Sequence, residues 1–351
     1  MNKIFTKLSE RHELKPHHSR NGAVLLGIMW ILFLCALFVV LYIEQQQNRI
    51  RSDATLYRQD EMRVAAYSAF EITLGVLHEY QMVDGKLYGK TQGWGDAFKQ
   101  SQIEVAPALD IRVDISDETG KIPINQLSSG GLINLFSGLD IDAYDTRLLV
   151  DSLLDWVDQD QLRRPNGAEA EFYRSRGQNG SPPNRKLKNL SELKTIHGFR
   201  SLFFDKKTGT PNGLYNQLQN AVSVHHQQPV NVNSLDRNTF DLLFPIRPAY
   251  TDSFFLRLHG PDTIKQTADD GYFEKVPPLQ APVSLSTTVG MLRVQITVKR
   301  GNARFDLNAL VSPQKNSSLK QAGSTSSPTK AGNAYPFEII KCVENRPLDE
   351  L

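Results

Sequence analysis

The chain has 351 residues, with 40 Lys or Arg against 38 Asp or Glu, a formal charge of +2, and 40% apolar content. That near-neutral balance gives no support to a dedicated nucleic-acid binder, and the apolar share excludes collagen-like, disulfide-stapled and wholly disordered chains. The length suits about two domains with a real core.

The first predicted element decides the compartment. Ala23 to Ile43, AVLLGIMWILFLCALFVVLYI, is a run of 21 residues without a charge. At about 1.5 Å per residue such a helix reaches about 30 Å, the hydrocarbon thickness of a bilayer. Lys3, Lys7, Arg11, Lys15 and Arg20 precede it against only Glu10 and Glu13. The N-terminal end is therefore expected in the cytoplasm and the bulk of the chain across the membrane. After the run the chain continues into charged helix rather than a small-residue cleavage site, so the segment reads as a complete lipid-facing single-pass helix, not a discarded secretory signal. Cys35 in the span and Cys342 near the far end offer no intramolecular disulfide.

Helix-compatible residues without Gly or Pro continue from Glu44 to Ile72, and Ile50, Ala54, Tyr57, Ala65, Ile72 and Val76 recur at helical steps, predicting one helix from Ala23 to about Tyr80. Gly85, Gly89, Gly93 and Gly95 break that pattern. Leu109, Ile111, Val113 and Ile115 then alternate with polar residues as in a half-buried strand, and Glu118-Thr119-Gly120 turns the chain towards Lys121 to Asn125, which reads as a hairpin. From Leu127 to Leu258 short amphipathic helices with polar, Pro- and Gly-rich connections take over. Strand signals return at Val283 to Thr288, Leu292 to Arg300, Ala303 to Val311 and Pro336 to Val343. Residues 312–334 hold a single large apolar residue, Leu319, and read as a mobile loop.

Strands on both sides of a helical block suggest an α+β domain with an insertion: residues 44–126 and 259–351 form the frame, and 127–258 a large inserted all-helical domain. No internal repeat at solenoid periods is visible. Catalytic signatures are missing: there is no GxSxG, HExxH, phosphate-binding glycine loop or CxxC. Gly93-Trp94-Gly95 lacks a third glycine, and the pairs His17-His18 and His225-His226 read as exposed polar loops. No nucleophile is nominated.

The dense feature is acidic. Between Asp110 and Glu171 stand 13 carboxylates against five basic residues. Asp151, Asp155 and Asp158 share one helical face beside Leu149, Leu153 and Trp156. Asp158 and Asp160 stand where the helix ends, Pro165 and Asn166-Gly167 turn the chain, and Glu169 and Glu171 return nearby. Hard oxygen ligands converging from a loop suit calcium. The spacing is not that of an EF-hand, and Arg163 and Arg164 could instead satisfy the carboxylates by ion pairing. Downstream, LSELKTIHGF (Leu190 to Phe199) and PVNVNSLDRNTFDLLFP (Pro229 to Pro245) read as short helices starting near Ser191 and Ser234, with Gly198 a stop. They look like helix-hairpin-helix (SAM-like) units without the glycine-rich anion loop, so no nucleic-acid partner is expected.

With these pieces in order, the chain resembles the K-type minor pseudopilins of the bacterial type II secretion system, the general secretion pathway protein K family. The resemblance rests on RNGAVLLGIMWIL, DISDETGKIPIN, LLDWVDQD…NGAEAEFY, SELKTIHGF and VNVNSLDRNTFDLLFP. The long C-terminal loop and SPPNRKLKN at Ser181 to Asn189 depart from it. It implies a pilin-like long N-terminal helix packed on an antiparallel sheet. It also implies a leader, residues 1–22, cut by a prepilin peptidase after Gly22, so that Ala23 becomes the methylated N-terminus. Gly27 then occupies position five, where most pilin subunits carry glutamate. The family's subunits join I- and J-type minor pseudopilins at the tip of a periplasmic filament of major pseudopilin that helps expel folded proteins, and their inserted domain binds calcium. Carried onto this chain, the calcium ligands are Asp158, Asp160 and Glu169, with Asp155 and Glu171 beside them. The resemblance implies no catalytic role. Two other readings are a minor pilin of a type IV pilus, which Gly27 argues against, and an anchored exported enzyme, glycosidase-like, using Asp155, Asp158 and Glu169 as acid and base.

Overall fold

The computed structural model describes residues 20–177, 181–244, 248–262, 267, 269–314 and 336–348. The chain divides into two units, one ending at Asp60 and the other starting at Glu61. Helix α1 (Arg20–Asp84) enters both. In the first unit, its stretch Leu25–Gln46 is long and apolar enough to cross a membrane, and its large apolar side chains are exposed on every face. Such a surface needs a lipid or protein partner.

In the second unit α1 is amphipathic. Its buried stripe is Met62, Ala65, Ala66, Ala69, Phe70, Leu74 and Leu77. The expected stripe shares only Ala65 with it; Ile72 and Val76 are half-buried, and the side chains of Ile50, Ala54 and Tyr57 lie outside the described residues. Small residues win here because three alanines let the sheet approach the helix backbone. Gly85, at φ +73°, ends the helix in the left-handed conformation that needs no Cβ.

Short helix α2 (Ala97–Gln100) follows, then β1 (Asp110–Asp117). The expected hairpin is not formed. After a 3₁₀ turn at Glu118–Gly120 the chain makes the short strand β2 (Ile122–Pro123), and β1 pairs instead with a strand far along the chain. The helical block contains α3 (Ser129–Gly138), α4 (Ala143–Val157), α5 (Ala170–Ser175), α6 (Phe199–Phe203), α7 (Gly213–Ala221), α8 (Arg237–Leu243) and α9 (Pro248–His259). Two-residue strands β3 (Val222–Ser223), β4 (Val230–Asn231) and β5 (Leu285–Ser286) tie it together. Then come β6 (Leu292–Arg300), β7 (Ala303–Pro313) and β8 (Phe337–Glu344).

The main sheet is antiparallel, in the order β1-β6-β7-β8. Leu292, Val294, Ile296 and Val298 of β6 alternate inward with Phe305, Leu307, Ala309 and Val311 of β7, and this face packs on the α1 stripe. Strand β7 runs two residues past Val311, so Ser312 and Pro313 belong to the sheet rather than to the expected loop; residues 315–334 of that loop lie outside the described residues. The helical block has its own core, running from Ile122 to Phe273 and so wider than 127–258 on both sides.

Within that block the chain repeats itself in a way the sequence reading missed. In one half, β2 pairs in parallel with β3; in the other, β4 pairs in parallel with β5. Each first strand leads into a 3₁₀ turn, a leucine (Leu127 or Leu235) and a helix capped by a short oxygen side chain. Ser128 accepts from the Gly131 amide, and Asp236 from that of Thr239. The asparagines of the two turns do identical work. Asn125 donates to the carbonyls of Leu187 and Val224 and accepts from the Leu187 amide; Asn233 donates to Phe273 and Thr287 and accepts from Phe273. The helix-start residues expected downstream shift accordingly. Asp236 rather than Ser234 caps α8. Asn189 rather than Ser191 caps the 3₁₀ turn Leu190–Lys194, in a capping box with Glu192. Gly198, expected as a stop, instead begins α6 at φ +87°; the 3₁₀ turn has already ended at Lys194, with Thr195 after it.

The block is locked to the sheet by a buried polar junction. Glu118 accepts from Arg293 Nε of β6 at 2.9 Å and from Ser223 Oγ of β3 at 2.7 Å, with Lys121 Nζ at 3.9 Å. Burial alone would push its carboxyl up; the charges of Lys121 and Arg293 and the hydrogen bonds outweigh that and hold it below the ordinary glutamate range. Asp117 accepts from the Thr119 amide at 2.9 Å and from Asn231 Nδ2 at 2.7 Å. Gly120 sits so close to the next segment that a Cβ would meet the Ser234 carbonyl at 2.5 Å. His226 is buried with Nε2 3.2 Å from the Lys121 carbonyl, so His225-His226 is not an exposed loop.

Asp117 differs from its neighbour in having no cationic partner among the described residues, and burial raises its carboxyl from 3.8 to about 6. Between those two values the native chain holds a proton that the unfolded chain releases, so the contribution of Asp117 to stability falls as pH rises through that window. A carboxyl-carbon NMR titration should give a midpoint near 6. A midpoint at the ordinary aspartate value would show that solvent reaches the junction.

Candidate metal centre

The acidic loop is built on α4. Asp142 caps its start by accepting from the amides of Tyr144 and Asp145, and Leu149, Leu153 and Trp156 face the core. This orientation carries Asp151, Asp155 and Asp158 along the flank where the returning loop lies. Asp158 has extended backbone, φ −74° and ψ 171°, and ends the helix.

The loop is then stitched back to α4. Asp151 accepts from the Asn166 amide at 3.1 Å and its side-chain Nδ2 at 2.8 Å. Asp155, wholly buried, accepts from the Arg164 amide at 3.1 Å and from the Arg164 guanidinium at 2.6 Å. The same guanidinium nitrogen reaches Asp158 Oδ2 at 2.5 Å. Arg163 donates to the Gly167 carbonyl at 2.7 Å, and a Cβ at Gly167 would lie 2.0 Å from Asp155 Oδ2. Only glycine lets the loop close that tightly.

This closure brings Asp158, Asp160 and Glu169 together, with one carboxylate oxygen of each inside a set no wider than 4.8 Å. Asp160 is exposed and uses Oδ1 to accept from the Leu162 amide; Asp158 is half-buried. Glu169, the residue before α5, is 4% exposed, and among the described residues no donor within hydrogen-bond geometry reaches either of its oxygens, or Asp158 Oδ1. Burial, followed by the charges of Asp155 and Asp158, pushes the Glu169 carboxyl above its ordinary range. Glu171 lies exposed on α5 outside this group, and Asp155 is spent on Arg164.

Arg164 therefore satisfies part of the acidic set, as the ion-pairing reading expected, and leaves the remainder without a partner. Three buried oxygens on two carboxylates, without donors among the described residues and next to a third carboxylate, Asp160, suit a hard cation taking oxygen ligands. Asp155, one of the three acids the glycosidase-like reading names, is already occupied by Arg164.

A family model described as "Type II secretion system (T2SS), protein K" matches residues 114–207, which hold β1 from its middle, α4, the acidic loop and SELKTIHGF. No curated protein matches the chain. Among solved structures it is similar to a chain of the GspK-GspI-GspJ complex from the type II secretion system of enterotoxigenic Escherichia coli. The identity is 17% and the TM-score 0.56, over 85% of this chain and 100% of that one. At that identity the likeness is one of fold: an N-terminal helix on an antiparallel sheet. The K-type resemblance read from the sequence holds.

Proposed function

We propose that this K-type minor pseudopilin caps the tip of a type II secretion pseudopilus. There it starts assembly with I- and J-type minor pseudopilins, and major pseudopilin extends the filament below, so that folded proteins are expelled across the outer membrane. The observation that carries the reading is the pairing of an acid-free apolar helix with a large block inserted between β1 and β6. Ala23 to Ile43 contains no carboxylate, and a pilin-type subunit needs one at position five to neutralise a neighbour's N-terminal amine in an apolar filament core. With Gly27 there, the chain can end a stack but not continue it. Gly27 also disfavours a type IV minor pilin. We read the inserted block as two helix-hairpin-helix-like halves, in line with its duplicated asparagine clamps.

The anchor stays in the inner membrane with the bulk in the periplasm. A prepilin peptidase cuts after Gly22 and Ala23 becomes the methylated N-terminus. Calcium fills the site of Asp158, Asp160 and Glu169 as a structural ion, its remaining ligands being loop carbonyls and water. Glu169, buried and unpartnered, supplies the strongest argument for a cation there. The solved GspK chain was found with GspI and GspJ, and an equivalent trio is expected here.

Co-expression with I- and J-type subunits tests the assignment: the three should co-purify as one complex, whereas a chain found repeatedly along isolated filaments would sink the tip reading. Processing gives a second readout. Gly22→Ala should leave uncut precursor in the inner membrane by immunoblot, and normal maturation of that variant would remove the pilin-type assignment.

A further inference from the structure

The acidic stretch is followed at once by its opposite. From Arg174 to Lys207 there are nine Lys or Arg against two acids, Glu192 and Asp205. Both acids are already engaged. Glu192 caps its 3₁₀ turn and pairs with Arg185 at 3.2 Å, and Asp205 accepts from the amides of Lys207 and Thr208. The surplus cations gather around one open concavity of about 960 Å³.

Arg176 comes from the end of α5, Lys194 from the turn before α6, Arg200 from α6 and Lys206 from the turn after it. No carboxylate lines the concavity, and among the described residues none of these four cations is ion-paired. Two are held in place by aromatic rings: Arg176 lies 4.3 Å over the Phe172 ring and Lys194 lies 5.7 Å over that of Phe204. The floor is supplied by Leu148 and Ile196. Four like charges converging from separate elements repel one another, and the chain offers no internal anion to offset them.

We propose that this concavity is a binding site for clustered phosphate oxyanions, carried by a lipid headgroup or by a small soluble bisphosphate. A protein surface would need a protrusion to enter the hollow, whereas a phosphate cluster brings several charges on a few atoms. Arginine meets such oxygens in bidentate fashion and lysine as a point charge. The size fits a small-molecule pocket, and the site does not depend on the tip assignment.

The test uses the full chain in phosphatidylcholine nanodiscs, with calcium present. One arm titrates fructose 1,6-bisphosphate by calorimetry; the other measures co-flotation with phosphatidic acid vesicles. Arg200→Glu with Lys206→Glu should weaken whichever binding occurs by tenfold or more, as should raising the salt. Lys275→Glu, an exposed cation elsewhere, should leave it unchanged. An unaltered unfolding temperature in the double variant, and a loss of at least threefold in the milder Arg200→Gln, separate charge loss from misfolding. Binding in the bisphosphate arm assigns a soluble ligand; binding in the vesicle arm alone assigns a lipid. Binding in neither arm, binding indifferent to the charge reversals, or a triglutamate peptide bound as tightly would overturn the proposal.

Discussion

Removing calcium from the loaded chain is expected to lower its unfolding temperature by roughly 10 °C, and Glu169→Gln is expected to abolish that drop. An ion bound only by the native state at about a thousand times its dissociation constant stabilises by about 4 kcal/mol. For a domain of this class each kcal/mol moves the midpoint by about 2–4 °C. Glu169→Gln acts on both sides of the comparison. It removes a buried carboxylate that has no cationic partner among the described residues, so the chelated variant should be at least as stable as the chelated parent. It also removes a ligand, so calcium should no longer help. Asp158→Ala would lose the calcium response too, but it leaves Arg164 with one carboxylate fewer and should be weaker than its parent even under chelation. Differential scanning calorimetry in calcium and in chelator distinguishes these outcomes. Identical traces for the parent in both conditions would end the metal assignment and restore plain ion pairing as the purpose of the loop.

The site was legible because α-helical steps of four and three are visible in the chain itself. They place Asp151, Asp155 and Asp158 on one flank before any fold is known. The division of labour among them was not legible. It depends on Arg164 reaching back to Asp155 and Asp158, and on Gly167 clearing Asp155 by its missing Cβ. Both are properties of loop closure, which side-chain periodicity does not encode. Strands β6 and β7 could be read for a similar reason, since β6 alternates along its length, β7 alternates up to Ala309, and only a two-residue turn, Gly301-Asn302, separates them. The partner of β1 could not. Glu118-Thr119-Gly120 has the composition of a hairpin turn, yet β1 pairs across the whole insertion with β6, and the 3₁₀ turn instead buries Glu118 against Arg293. Tertiary pairing overrode a local signal. The internal duplication escaped notice because its shared signature is short: a branched residue, an asparagine, a leucine and a capping oxygen, clear only when Asn125 and Asn233 are seen gripping equivalent loop segments.

That same turn carries the second large effect. Arg293→Met is expected to destabilise the chain by about 3–5 kcal/mol, the usual cost of leaving a buried charge without its partner. Glu118 is 1% exposed and Arg293 gives it two hydrogen bonds, at 2.9 and 3.2 Å. What remains after the substitution is Ser223 and Lys121 Nζ at 3.9 Å, too little to solvate a carboxylate. Pairing the change with Glu118→Gln should restore most of the loss, because the amide oxygen can still accept from Ser223 and no charge is stranded. Chemical denaturation of the four chains in a double-mutant cycle should therefore give strong coupling, about 2 kcal/mol or more. pH supplies an independent check. The native carboxyl of Glu118 lies below its ordinary 4.5, so the pair's stabilisation is complete above that value and is lost as pH falls through the lower native one. The stability gap between the parent and the double variant should shrink on acidification below 4.5 and stay constant above it. Because Glu118 joins β6 to β3, hydrogen exchange in Arg293→Met should quicken first at β2 and β3, while the α1-covered strands β6 and β7 keep their protection. If exchange instead rose evenly across the sheet, the junction would be one more part of a single cooperative core. The helical block would then have no opening reaction of its own, separate from the main sheet.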